Sequence, residues 1–161
     1  MFSLRTPSGW LLIVAVLCFG AVGAALVSQY QFDMQPCVWC VFQRAIFLAV
    51  GIVALVAAVL PGLVQRIAAL IAMVFAGGGM AAALWQHFVA SKSDSCAMTF
   101  ADRVMGDLGL FGLAPDIFTP QASCADAAVN LFGLPYEFWS LGLFVIAALL
   151  CLRAALMSRP S

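Results

Sequence analysis

Four apolar runs, each roughly the length a membrane crossing needs, set what this chain can fold into. They extend from Trp10 to Val27, Val41 to Leu60, Ile67 to Val89 and Phe138 to Leu156. About 20 helical residues at ~1.5 Å each cross a ~30 Å hydrocarbon core. The expected architecture is an all-α membrane protein, a four-transmembrane-helix bundle forming a single membrane domain over residues 1–161. Its spans cover about 10–27, 41–60, 67–89 and 138–156, with outer loops at 28–40 and 90–137. Composition agrees: 65% of residues are hydrophobic and 9% charged, against roughly 25% charged in soluble domains. The zero net charge suggests no nucleic-acid partner.

The first run competes with a secretory signal peptide, since Ala21 to Ala25 offers small residues for cleavage. A signal core of about 7–15 residues is shorter than this run, which favours an uncleaved span. Gly20 and Ala24 give a small-xxx-small face for close helix contact. Pro61-Gly62 breaks the second run, and Gln65-Arg66 completes a tight turn. Gly77-Gly78-Gly79 in the third run is poor helix material in water, yet in a bilayer it lets a neighbouring helix approach. The loop from Ala90 to Glu137 is polar, with a largely apolar stretch from Asp107 to Phe118 too short to span. That stretch either lies in the membrane interface or is buried within the loop's own fold.

Four spans put both termini on one side. That side carries Arg5, Arg66, Arg153 and Arg159; the other carries Arg44, Lys92 and Arg103 over much more chain. The excess of positive charge places the termini in the cytoplasm. Cys37, Cys40, Cys96 and Cys124, the cysteines outside the runs, then all face an oxidising compartment.

Pro36-Cys37-Val38-Trp39-Cys40-Val41-Phe42-Gln43-Arg44 opens the second run. If helical geometry starts near Pro36, which suits a first turn, then Cys37, Cys40 and Arg44 share one face at i, i+3 and i+7. A thiolate at a helix N-terminus is stabilised by unpaired N–H groups and the helix dipole, and Arg44 adds a fixed charge one turn beyond Cys40. A charge there costs ~2.5–3.5 kcal/mol at a span's centre and less near its end, so an interfacial anchor is the plain alternative. Zinc is the other reading of Cys-x-x-Cys. A structural zinc site takes four ligands, and Cys96 and Cys124 stand far apart in sequence, more like a second disulfide. His87, at the end of the third run, is a candidate to hydrogen-bond a ligand carbonyl or to supply a proton, with a plain interfacial polar residue as the alternative. Gln29 and Gln43 are weaker candidate ligand contacts. Trp10, Trp85 and Trp139 fit an aromatic belt. Cys18 and Cys151 fit small apolar fillers, and Glu137 fits a favourable helix-dipole position.

Pro36-Cys37-x-x-Cys40-x-x-Gln43-Arg44, the four runs and a long second outer loop with two cysteines resemble the bacterial DsbB family of disulfide-forming oxidases. Phe132-Gly133-Leu134 and Trp139-Ser140-Leu141, after Cys124, resemble that family's approach to its last helix. One departure is visible: the family often has Pro just before this Trp, whereas here Pro135 lies earlier and Glu137-Phe138 intervene.

The resemblance implies a quinone-dependent protein-dithiol oxidase of the bacterial inner membrane, with redox loops in the periplasm. It implies disulfides Cys37–Cys40 and Cys96–Cys124. A DsbA-like thioredoxin-fold oxidase delivers electrons at Cys96, Cys124 exchanges with Cys37, and Cys40 faces a quinone (ubiquinone or menaquinone) beside Arg44. The partners implied are that oxidase, the membrane quinone pool and the lipid bilayer. Vitamin K epoxide reductase relatives, also four-helix thiol proteins, carry their redox pair by the last helix; here it opens the second.

Overall fold

The computed structural model describes residues 6–92 and 98–157. Four long helices make up most of it: α1 (Pro7–Phe32), α2 (Val38–Val59), α3 (Gly62–Phe88) and, after the second outer loop, α7 (Tyr136–Met157). All four are long and apolar enough to cross a membrane. A spanning helix satisfies its own backbone where no water can. The chain is a multi-pass all-α membrane protein.

The ends of the helices follow local chemistry. Thr6 caps α1 through its hydroxyl, which accepts from the Gly9 N–H at 3.3 Å, and Pro7 takes the first turn. At the far end Asp33 turns left-handed, φ 53°. Residues 28–32, expected in the first outer loop, therefore belong to α1. Pro61 caps α3. Gln65 and Arg66, expected in the turn, lie within α3 instead, because Leu60 and Pro61 suffice to reverse the chain.

The helices form a ring in which α1 packs on α2 and α7, and α3 on α2 and α7. Its core is rich in alanine, including Ala54, Ala72, Ala76 and Ala147, all fully buried. Small side chains let helices approach where no aqueous hydrophobic effect draws them together. The largest core contact is a stack of Phe47 on Phe144, centroids 3.8 Å apart. Gly79 makes room for it: a Cβ there would overlap the Phe144 ring, whereas Gly77 and Gly78 face open space. Only one glycine of the triplet therefore does the expected job. Gly20 also faces open space, and Ala24 is exposed. The close approach of α1 occurs on another face, where a Cβ on Gly51 would lie 3.2 Å from Cys18 and Phe19. Cys18 and Cys151 are buried in this apolar core.

Two contacts join the helices at the end of the bundle that carries the α2–α3 turn. The Arg153 guanidinium lies over the Trp10 ring, 4.7 Å from its centroid. Gln65 Nε2 donates to Ser8 Oγ at 2.9 Å.

At the opposite end, a 3-10 turn (Ala90–Lys92) is followed by α4 (Phe100–Asp107), α5 (Leu110–Leu113) and α6 (Pro115–Phe118). Thr99 and Asp102 form a reciprocal capping box on α4. Met105 and Phe118 then pack onto Val41 of α2. The apolar stretch divides: Phe118 is buried, while Leu108 and Leu113 are exposed. A small antiparallel hairpin, β1 (Asn130–Leu131) and β2 (Leu134–Pro135), leads into α7. Its turn residues, Phe132 and Gly133, both have positive φ, as a two-residue mirror-type turn requires. With Pro135 in β2, α7 starts at Tyr136, which places Glu137 in its first turn.

Candidate functional site

The site is built on the start of α2. Cys37 is extended (φ −85°, ψ 172°) and caps the helix. Its carbonyl accepts the first helical bond, from the Val41 N–H at 3.1 Å. Helix therefore begins one residue after Cys37, not near Pro36. Cys40 becomes the third helical residue and Arg44 the seventh. Cys40 and Arg44 face a common cavity, whereas Cys37 sits behind them, fully buried.

A helix start leaves N–H groups without intrahelical partners. Here sulfur takes two of them. The Cys37 N–H points to the Cys40 sulfur, and the Trp39 N–H to the Cys124 sulfur. The Cys37 sulfur lies 3.1 Å from that of Cys40 and also contacts that of Cys124. Three sulfurs thus meet around one helix cap, with Cys37 in the middle. The contact with the Cys37 thiol holds Cys124 below the ordinary thiol range, the Trp39 N–H helps, and burial opposes. Cys37 is pushed the other way by the same contacts with Cys124 and Cys40 and by burial, so it keeps its proton.

The segment bearing Cys124 is pinned in place by backbone bonds. The N–H groups of Gln121 and Ala122 both donate to the Pro36 carbonyl, at 2.8 and 3.3 Å. Cys96, and with it the expected Cys96–Cys124 pair, lies outside the described residues.

Arg44 does not reach out toward an interface. It is 5% exposed. Its Nη1 donates to Gln29 Oε1 at 2.7 Å and to the Ile117 carbonyl at 3.0 Å, and Nη2 donates to the Ala25 carbonyl at 3.4 Å. A charge held this way is positioned rather than merely tolerated. Gln29 in turn donates to Gln121 at 3.5 Å. Gln29 orients Arg44 and does not itself line the cavity.

A residue without a sequence-based role stands against Cys40. Gln86 Nε2 donates to the Cys40 sulfur at 3.2 Å, and Gln43 Nε2 donates to Gln86 Oε1 at 2.6 Å. All three are buried or partly buried and line the cavity. The available signal was a glutamine inside an apolar span, where a polar group is costly. His87, one position further, faces elsewhere. Its Nδ1 lies 2.7 Å from Glu137 Oε1 and it does not line the cavity. Trp85 and Trp139 are partly exposed at this end of the bundle, while Trp39 is buried against Phe42 and Trp85.

The cavity has a volume of about 560 Å³. Ala21, Val22, Phe47 and Leu143 belong to its apolar wall; its polar lining includes Cys40, Gln43, Arg44, Gln86 and Glu137, with Asp33, Asp126 and Tyr136 also on it. An apolar pocket with a few convergent polar groups suits a small amphiphilic ligand.

A family profile described as DsbB, Disulfide bond formation protein DsbB, matches residues 7–154. A Pseudomonas syringae pv. syringae protein named Disulfide bond formation protein B 1 is 30% identical over 149 residues, covering 91% of this chain and 88% of that protein. Disulfide bond formation protein B of Cupriavidus metallidurans is 28% identical over 151 residues, 93% of this chain and 92% of its own. The Ralstonia nicotianae protein of the same name is 30% identical over 146 residues, 86% and 87% of the two chains.

Proposed function

Since the chain belongs to the DsbB family of disulfide bond formation proteins, a family of disulfide-forming oxidoreductases, we propose that it reoxidises a DsbA-like thioredoxin-fold oxidase and passes the electrons to a membrane quinone. It acts in the bacterial inner membrane with its sulfurs on the periplasmic side. The observation that carries this reading is the meeting of three sulfurs at the α2 cap, with one of them on a cavity that also holds Arg44.

Thiol–disulfide exchange proceeds by attack of a thiolate on a disulfide sulfur. A partner thiolate attacks Cys96 and releases Cys124 from the Cys96–Cys124 disulfide. The partner's second thiol then attacks its own sulfur in the mixed disulfide, leaving the partner oxidised and Cys96 reduced. Cys124, whose sulfur contacts that of Cys37 and faces the Trp39 N–H, attacks Cys37 of the Cys37–Cys40 disulfide and releases Cys40 as a thiolate. Cys96 then attacks Cys124, which restores the loop disulfide and frees Cys37. The central position of Cys37 lets it bond to either neighbour without moving far. Cys40 receives hydrogen bonds from Gln86 and the Cys37 backbone, with the Arg44 charge beside it.

The cavity fits a quinone head group: its wall is apolar, and Arg44 and the two glutamines supply donors. A quinone there supplies an acceptor for two electrons and two protons. Arg44 and Gln43 would hold the head group, and Phe47 and Leu143 would cover its faces and exclude water.

The test uses purified protein in lipid nanodiscs, a reduced thioredoxin-fold oxidase and a soluble quinone. Thiol loss from the partner should require quinone. Cys40→Ser should abolish it. Cys96→Ala should block electrons from the partner while a small dithiol still reduces quinone through Cys37 and Cys40. Full turnover by Cys40→Ser would overturn the relay.

A further inference from the structure

Glu137 is 3% exposed, lines the cavity, and has two oxygens in different circumstances. Oε1 is held by His87 Nδ1 at 2.7 Å. Oε2 is buried and has no hydrogen-bond partner among the described residues. A helix-dipole role in the first turn of α7 needs neither burial nor an orphaned oxygen. Buried carboxylate oxygens are ordinarily satisfied, and one that is not invites a ligand. His87 stands on the far side of the couple, 29% exposed. Its ring is fixed between Phe88 and Phe138, at 4.9 and 4.7 Å. One path thus runs from the outer surface of the bundle through an imidazole and a carboxyl group to the cavity that holds Cys40.

We propose that the His87–Glu137 couple is the proton donor for the acceptor bound in this cavity, with Glu137 the group that touches it. This rests on the reading of the cavity as a quinone site and adds the source of its protons. The overall balance is two thiols plus one quinone giving one disulfide plus one quinol. Two electrons leave the Cys37 and Cys40 sulfurs, an S–S bond forms, and each quinone oxygen gains a proton. The couple holds one proton. Glu137 delivers it from Oε2, which leaves a carboxylate facing a neutral imidazole; His87 then takes a proton from solvent and reloads the couple, and a second delivery supplies the other proton of the quinol. Thiol protons released during exchange at the loop side restore the solvent balance. Arg44, which also lines the cavity, carries no proton it can give up, so it balances charge while Glu137 transfers the proton.

The substitution that tests this is Glu137→Gln, which keeps shape and a hydrogen bond to His87 but cannot pass a proton. Quinone binding to the variant, read by quenching of tryptophan fluorescence, should match the wild type within twofold. Quinol formation should fall at least tenfold, since positioned acids contribute ~10²–10⁴-fold, and Glu137→Asp should recover part of the loss. Infrared difference spectra on adding quinone to the wild type should contain a carboxyl band that Glu137→Gln removes. Wild-type quinol formation by Glu137→Gln, or an unchanged infrared difference spectrum, would overturn the proposal. Loss of quinone binding together with rate would overturn it too, making Glu137 a structural strut. Failure of the wild type itself to bind quinone would instead remove the reading of the cavity, and this inference with it.

Discussion

Arg44→Lys keeps the charge and removes the fork, so it separates electrostatics from geometry. In the native protein Nη1 holds both Gln29 Oε1 and the Ile117 carbonyl, at 2.7 and 3.0 Å. That leaves the rest of the guanidinium edge for Ala25 and for whatever enters the cavity. A lysine nitrogen at this depth must choose between the protein acceptors and the ligand. Losing one hydrogen bond from a charged donor costs roughly 1.5–3 kcal/mol. At 1.4 kcal/mol per factor of ten, that predicts a roughly 10- to 100-fold rise in the quinone KM. The assay is a quinone titration in nanodiscs with saturating reduced partner, alongside thermal unfolding of the same preparations. A KM and kcat within twofold of wild type would refute the reasoning, and Arg44 would then be an anchor for α1 and α6 only. A lowered unfolding temperature with unchanged KM would point the same way.

Two further outcomes follow from packing and polar contacts. Gly79→Ala forces a methyl into the Phe144 ring and should lower stability by about 1–3 kcal/mol. Gly77→Ala meets open space and should be neutral or slightly stabilising; equal effects in thermal unfolding would disprove the contact. Gln86→Leu removes the donor to Cys40 and leaves the Gln43 amide unpaired. Alkylation of Cys40 at neutral pH should slow about tenfold, at the lower end of the ~1.5–3 kcal/mol for hydrogen bonds to charged groups. An unchanged alkylation rate would show that Gln86 does not support the thiolate.

The four spans were legible because a membrane helix announces itself by length and apolarity, and the Cys37–Arg44 stretch because its spacing is unusual in such a run. Which face of each helix packs was not legible. α1 is apolar on all sides, so no stripe marks the buried face, and the small pair Gly20 and Ala24 pointed to an open one. Gln86 and His87 show the limit at the site. They are adjacent, and the histidine draws attention because it titrates. A turn of about 100° per residue nevertheless sends the glutamine to Cys40 and the histidine to Glu137. A buried guanidinium needs acceptors of its own, and Gln29, singled out in the sequence as a ligand contact, supplies one to Arg44. The meeting of Cys124 with Cys37 depends on how the second loop folds back on Pro36, a long-range event without a local signature.

The Ile117 carbonyl bears on more than the seating of Arg44. It belongs to α6, part of the same outer loop that supplies Cys124, so loop and charge share one hydrogen bond. The loop is therefore a clutch as well as a carrier of sulfur. While α6 is seated, the guanidinium is committed to it. Any displacement that lifts α6 from α2 frees a donor of Arg44 within the Cys40 cavity. The outer loop and the charge inside the cavity are in this way joined through one backbone oxygen.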